Sequence, residues 1–134
     1  MPVLNSEVLM VRSSNDIVIV RQRVRTGAVE LGFSLVDQTK IVTATSELAR
    51  NTLDYGGGGT VLIEKVEEAG RKGLRLTFED KGPGIADIEQ ALRDGYTSGG
   101  GLGMGLGGAR RLANEFSIQS RPGEGTTVSI TRWK

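Results

Sequence analysis

Asp94-Gly95-Tyr96-Thr97-Ser98-Gly99-Gly100-Gly101-Leu102-Gly103-Met104-Gly105-Leu106-Gly107-Gly108 is the stretch around which the chain is organised. Eight of the fourteen residues from Gly95 to Gly108 are glycine, and the run leads directly into a helical pattern of Leu106, Ala109, Leu112, Ala113 and Phe116. Such a loop lets backbone approach an anion closely, and the helix start behind it offers free N–H groups. A glycine run also suits a flexible linker. Residues 109–134 are too few to form a second domain, so a phosphate-binding loop is the expectation.

A chain of 134 residues, 37% hydrophobic and 25% charged, fits one globular domain spanning 1–134 with a core of its own. Its 17 basic and 16 acidic residues nearly balance, so total charge calls for neither nucleic acid nor an anionic membrane. Apolar runs are too short to span a bilayer, and the N-terminus has no signal-peptide layout; the expected setting is the cytoplasm. Cysteine is absent, which removes thiolate nucleophiles and Cys-based metal sites. Histidine is absent too, which removes His bases, His metal ligands and Ser-His-Asp chemistry. Proton transfer at neutral pH then falls to a carboxylate, Lys or Tyr.

Along the chain, Glu7–Arg12 reads as a short strand. Ile17, Val20, Val24, Ala28 and Leu31 then recur at helical spacing, with Ser14 or Asn15 as N-cap and Gly32 as the stop. The β-branched run Ile17–Val20 argues for strand, but the periodicity continues past it and favours helix. A second helix starts at Ser34 with Asp37 three residues on, shows a face through Ile41, Ala44, Thr45, Leu48 and Thr52, and ends at Gly56–Gly59. Thr60–Glu68 and Leu74–Asp80 read as a hairpin around a turn at Ala69–Gly73. After Lys81-Gly82-Pro83-Gly84, Asp87 caps a short helix through Ile88 and Leu92; Phe116–Ser120 and Thr126–Arg132 close the chain as a second hairpin. About five strands and four helices, with hairpins separate from helices, predict an α+β two-layer sandwich: a mixed sheet with helices on one face.

Four features carry possible chemistry: Glu47-x-x-x-Asn51 on one side of the second helix, Asp80-x-Gly82-x-Gly84 after a strand, the Gly99–Gly107 loop, and Gly125-Thr126-Thr127 before the last strand. Taken singly, each has an ordinary reading as solvated helix face, turn or strand start. In this order and spacing they resemble the Bergerat ATP-binding fold of the GHKL superfamily, shared by gyrase, the heat-shock chaperone of the ninety class, histidine kinases and MutL. The resemblance covers nearly the whole chain. Gyrase, MutL and the chaperone carry large extra domains, and a histidine kinase needs a phosphoacceptor His. What remains is similar to the small stand-alone serine kinases that regulate bacterial sigma factors. The short length, Asn51–Gly56 and Asp94–Gly103 look most like the RsbT type.

That resemblance implies ATP and Mg²⁺, with Asp80 accepting a hydrogen bond from the adenine amine and Gly82 and Gly84 turning beneath the base. Thr127 would support the base edge, and Asn51 would offer oxygen to Mg²⁺. Thr97, Ser98, Gly99, Gly101, Leu102, Gly103 and Met104 would form the lid over the phosphates. Glu47 would take the proton of the substrate serine. The implied partners are a STAS-domain antagonist as substrate and a PP2C-type phosphatase activated afterwards. No Lys lies inside the Gly-rich run as in a Walker loop, and Lys81, Arg110 and Arg111 are the nearest basic residues. Three other readings stand beside this one: an anti-sigma factor that also phosphorylates an antagonist, a nucleotide-gated binding module without catalysis, and an α+β domain whose glycines are only structural. Glu47 discriminates the enzyme from the binding module, since a module needs no base.

Overall fold

The computed structural model of the chain describes residues 3–85, 87–92 and 105–134, Gln90 by its backbone alone. Among the described residues nine elements follow one another: β1 (Val3–Val11), α1 (Ser14–Leu31), α2 (Leu35–Asp54), β2 (Gly59–Glu68), β3 (Arg71–Asp80), α3 (Ile88–Ala91), α4 (Gly105–Leu112), β4 (Glu115–Ser120) and β5 (Thr126–Trp133). The α+β class expected from sequence holds.

The N-cap of α1 is Ser13, one residue before the expected Ser14 or Asn15: Ser13 Oγ accepts from the Asp16 backbone N–H at 3.2 Å, and the Asp16 carboxylate accepts from Arg12 N–H at 2.9 Å. Its β-branched start is helical because burial follows the 3.6-residue period. Ile17, Val20, Val24 and Ala28 are buried while Val18 and Ile19 face out. Gly32, at φ 86°, ends the helix by giving its N–H to the carbonyls of Ala28 and Val29. Helix α2 starts as predicted, with Ser34 Oγ accepting from Asp37 N–H at 3.1 Å. Its buried hydroxyls, Thr45 and Thr52, donate to the carbonyls of Ile41 and Leu48, so neither is left without a partner in the core.

The sheet runs β1-β2-β3-β5-β4, and every pairing is antiparallel rather than mixed. Two of the pairings are hairpins. The β1–β2 pairing is antiparallel because two long helices, joined by a short turn and reversing the chain against each other, intervene; a single-helix crossover would have left the strands parallel. One face of the sheet presents Val61 and Ile63, Leu74, Leu76 and Phe78, and Val128 and Ile130 to Val20, Val24, Ala28, Ile41, Leu48 and Ala109 on the helices. That single core fixes where the helix ends sit relative to the strand ends.

One ion pair ties the layers together at the far end of α2. Arg132 on β5 reaches Asp37 Oδ1 at 2.6 Å. Hydrogen bonding from Arg132 is the main reason the Asp37 carboxyl is held below its ordinary value of 3.8; the Ser34 cap and the charges of Arg132 and Lys40 add to this against some desolvation. The pair therefore stabilises the fold fully above that ordinary value, and the contribution disappears as pH falls through the lowered one. Asp37→Asn should flatten the acid limb of the stability curve, read by denaturant melts over an acid pH series. A limb as steep as in the unaltered chain would contradict the assignment.

The β2–β3 turn is tighter than Ala69–Gly73. Glu68 pairs with Arg71, leaving only Ala69 and Gly70 at φ 52° and 78°. Both positive values mark a type I′ turn, which favours Asn-Gly over Ala-Gly. Ala69→Asn should raise unfolding stability by about 0.5–1 kcal/mol, measured by denaturant titration; an unchanged or lower midpoint would refute the turn assignment.

Candidate functional site

Asp80 ends β3, between Gly59 of β2 and Thr126 of β5. Its side chain points to the helix layer, in step with Leu74, Leu76 and Phe78, and the residue is only 8% exposed. Burial pushes the carboxyl above its ordinary value, with the neighbouring Glu79 charge acting the same way. Backbone N–H groups of Gly82 and Thr126 pull in the other direction. Gly82 N–H donates to Asp80 Oδ1 at 2.9 Å, so the Asp80-x-Gly82 turn folds back on its own side chain.

This arrangement needs residues without side chains. Gly56, just past α2, lies against the carboxylate, and a Cβ there would overlap Asp80 Cγ. A Cβ on Gly82 would sit 2.7 Å from the Cα of Gly56. Gly84, at φ 78°, passes so near the Arg121 carbonyl that a Cβ would collide with it. The end of α2, the post-β3 turn and the last hairpin thus meet backbone to backbone around one buried carboxylate.

Helix α2 supplies the other wall. Glu47, Asn51 and Tyr55 follow at four-residue steps, one stripe covering about 12 Å of helix axis. Both ends of that stripe are anchored. At one end, the Gly105 N–H at the start of α4 donates to Glu47 Oε2 at 3.4 Å. At the other, the Tyr55 hydroxyl donates to the Gly84 carbonyl at 3.1 Å. Asn51 lies between them, partly exposed like Glu47.

In the last hairpin the two threonines divide between faces. Thr126 is opposite Asp80, whereas Thr127 is opposite the exposed Glu79. Alternation therefore carries the Thr127 side chain to the other face of the sheet from the Asp80 carboxylate, away from the base edge it was expected to support. Thr126 takes that place, its hydroxyl 2.8 Å from Ser120 Oγ. Ser120 Oγ also accepts from Ile85 N–H at 2.8 Å and approaches the Gly125 carbonyl at 3.0 Å, tying the post-Asp80 turn to the hairpin.

Of the residues read from sequence, Asp80, Gly82 and Gly84 come together, and Glu47 and Asn51 share the adjoining helix stripe. Thr97, Ser98, Gly99, Gly101, Leu102, Gly103 and Met104 lie outside the described residues. Lys81 is largely exposed, within 3.8 Å of Glu79, and Arg110 and Arg111 face outward on α4. Sequence reasoning gave no role to Tyr55, Gly56 or Ser120. Tyr55 continues the Glu47–Asn51 spacing by one more step, a signal that was available. Gly56 read simply as a helix stop, and Ser120 carries no local signal.

Two tests of ligand chemistry follow from these residues. An ionised carboxylate has about four acceptor positions; among the described residues its backbone donors are Gly82 and Thr126, which leaves acceptor capacity for an N–H brought by a ligand. Among the described residues no three Asp, Glu, His or Cys side chains form a metal cluster. Asn51 alone suits Mg²⁺, which keeps waters and phosphate oxygens in its shell.

The chain is similar to known proteins of one family. Residues 36–134 match the family described as histidine kinase-, DNA gyrase B- and HSP90-like ATPases. The serine/threonine-protein kinase RsbT of Bacillus subtilis (strain 168) is 52% identical over 118 residues, 88% of this chain and 89% of that one. An anti-sigma F factor of Thermoanaerobacter sp. (strain X514) is 31% identical over 111 residues, 79% of this chain and 77% of that one. Among solved structures, the RsbU and RsbW domains of a Mycobacterium tuberculosis protein superpose with a TM-score of 0.65 at 23% identity, over 100% of this chain and 33% of that one, a likeness of fold. With the buried Asp80, its glycine cradle and the α2 stripe in place, the chain belongs to the histidine kinase-, DNA gyrase B- and HSP90-like ATPase family.

Proposed function

We propose that this chain is an ATP-dependent serine/threonine-protein kinase of a partner-switching pathway in the bacterial cytoplasm. Its substrate would be a serine on a STAS-domain antagonist, and it would then activate a PP2C-type phosphatase. The observation that carries the nucleotide reading is the buried Asp80 carboxylate in its cradle of Gly56, Gly82 and Gly84. The kinase reading is supported by the 52% identity with RsbT over nearly the full length of both chains. The anti-sigma reading stands second, because the anti-sigma F factor is 31% identical.

In this reading Asp80 accepts the exocyclic amine of adenine. A guanine would present a carbonyl there, acceptor against acceptor, so the carboxylate selects the base. Thr126, not Thr127, supports the base edge from the opposite strand. Asn51 offers its side-chain oxygen to Mg²⁺. Magnesium-bound ATP supplies the phosphoryl group to be transferred. Glu47, held by the α4 N-terminus, accepts the proton from the substrate hydroxyl. Phosphoryl transfer rests on positioning and charge stabilisation, so one carboxylate is enough base. The anchored stripe places Glu47 about 12 Å along one helix from Tyr55, whose hydroxyl bonds the turn that follows Asp80.

The test is transfer from γ-labelled ATP with Mg²⁺ to a STAS-domain protein of the same genome. Label on serine is expected, falling about 10²–10⁴-fold in Glu47→Ala with ATP affinity kept. Asp80→Asn should weaken ATP binding about 10- to 100-fold, the loss of one charge-assisted hydrogen bond. Full transfer by Glu47→Ala would remove Glu47 as base. ATP binding with no transfer would favour the nucleotide-gated module instead.

A further inference from the structure

We propose that Arg132, remote from the adenine cradle, is a positioning residue for the phosphate end of the nucleotide site, acting by clamping α4 to α2. This rests on the reading that the start of α4 faces the phosphates. The guanidinium of Arg132 is largely buried and bridges two helix ends. Its Nη1 donates to the carbonyl of Leu112, the last residue of α4, at 3.0 Å. Its Nη2 donates to Asp37 Oδ1, in the first turn of α2, at 2.6 Å. The side chain is only 13% exposed, and Nε is buried without a hydrogen-bond partner among the described residues. A planar fork can hold two acceptors at once, which a lysine cannot do in the same geometry. The cation also faces the negative end of the α4 dipole, so both contacts favour charge at that spot.

The geometry makes the clamp matter at a distance. Helix α4 is short, from Gly105 to Leu112, so its two ends are about 10 Å apart. One end is gripped by Arg132, and the other presents the Gly105 N–H to Glu47 on α2. Both contacts land on α2, at Asp37 and at Glu47. Helix α4 is thus braced against a single long helix at each end, and its free N–H groups are aimed by that bracing. Releasing the Arg132 end lets α4 pivot, so its start drifts from Glu47. The adenine cradle is built from Gly56, Asp80, Gly82, Gly84, Ser120 and Thr126, none of which touches Arg132, and it stays in place. The expected signature is a loss confined to the phosphates.

Equilibrium binding of ATP and of adenosine to the full chain, with phosphorylation kinetics alongside, tests the clamp. For Arg132→Gln, adenosine affinity should be unchanged while ATP affinity falls toward it, and kcat/KM should drop about 10- to 100-fold, the scale of a small misplacement of reacting groups. Arg132→Lys should fall between, and Asp37→Asn, which keeps an acceptor oxygen, should lose less than Asp37→Ala. If Arg132→Gln does not fold, the Arg132→Lys and Asp37 variants read the same ratio. Parallel loss of adenosine and ATP binding would reduce Arg132 to a stabilising residue, and unchanged ATP binding and kinetics would overturn the clamp. Failure of the underlying reading shows differently: the unaltered chain would then bind ATP no better than adenosine.

Discussion

A carboxylate taken out of water at the end of β3 is the constraint on which the rest of this structure depends. Asp80 is 8% exposed, and burial works against its charge. An unpaired charge in such a place would be costly. Two backbone N–H groups, from Gly82 and Thr126, offset part of that cost. They reach the carboxylate only because the chain leaves out side chains where three segments converge. With a Cβ at Gly56 or Gly82, the end of α2 and the post-β3 turn would be driven apart. The glycines therefore set the distance between the helix layer and the sheet at the end where Asp80 lies.

The far end of the same sandwich is held by different chemistry. There a charged side chain on β5, Arg132, grips the start of α2 and the end of α4. Helix α2 is thus fixed at its N-terminal end by an ion pair and at its C-terminal end by close backbone packing around Asp80. Its C-terminal half carries Glu47 and Asn51 on one side, where Glu47 meets the start of α4. A helix held at both ends offers side chains with defined positions, which suits chemistry that works by placement.

Much of the fold was legible because local signals agreed with global packing. Ser34 with Asp37, Gly32 as a stop, and the alternation of Leu74, Leu76 and Phe78 each named an element that formed. The ambiguous Ile17–Val20 run resolved as helix because its buried positions follow helical spacing rather than alternation. Strand direction was less legible. Hydrophobic pattern reports which face is buried, not how partners run, so the expected mixed sheet proved antiparallel at each described pairing. The turn at Ala69–Gly70 was overestimated because Gly73 looks like a turn residue; instead it lies in β3 beneath Trp133, where a Cβ would sit 2.7 Å from the indole ring.

The same distinction explains the misplaced threonine. Gly125-Thr126-Thr127 announces a strand start, but which hydroxyl joins Asp80 depends on a register that only the folded pairing sets. A slip of one residue exchanges the two faces. Asp80 opposite Thr126 decides it, and Ser120 then completes the hydroxyl pair from a strand that meets Asp80 only through β5. Motifs read along the chain can identify the carboxylate and the glycines, since their chemistry is local. The residues that hold them at the right spacing come from distant segments, and their roles arise from packing. In the proposed site, whose chemistry depends on placement, those supporting residues would act through the motif residues they hold.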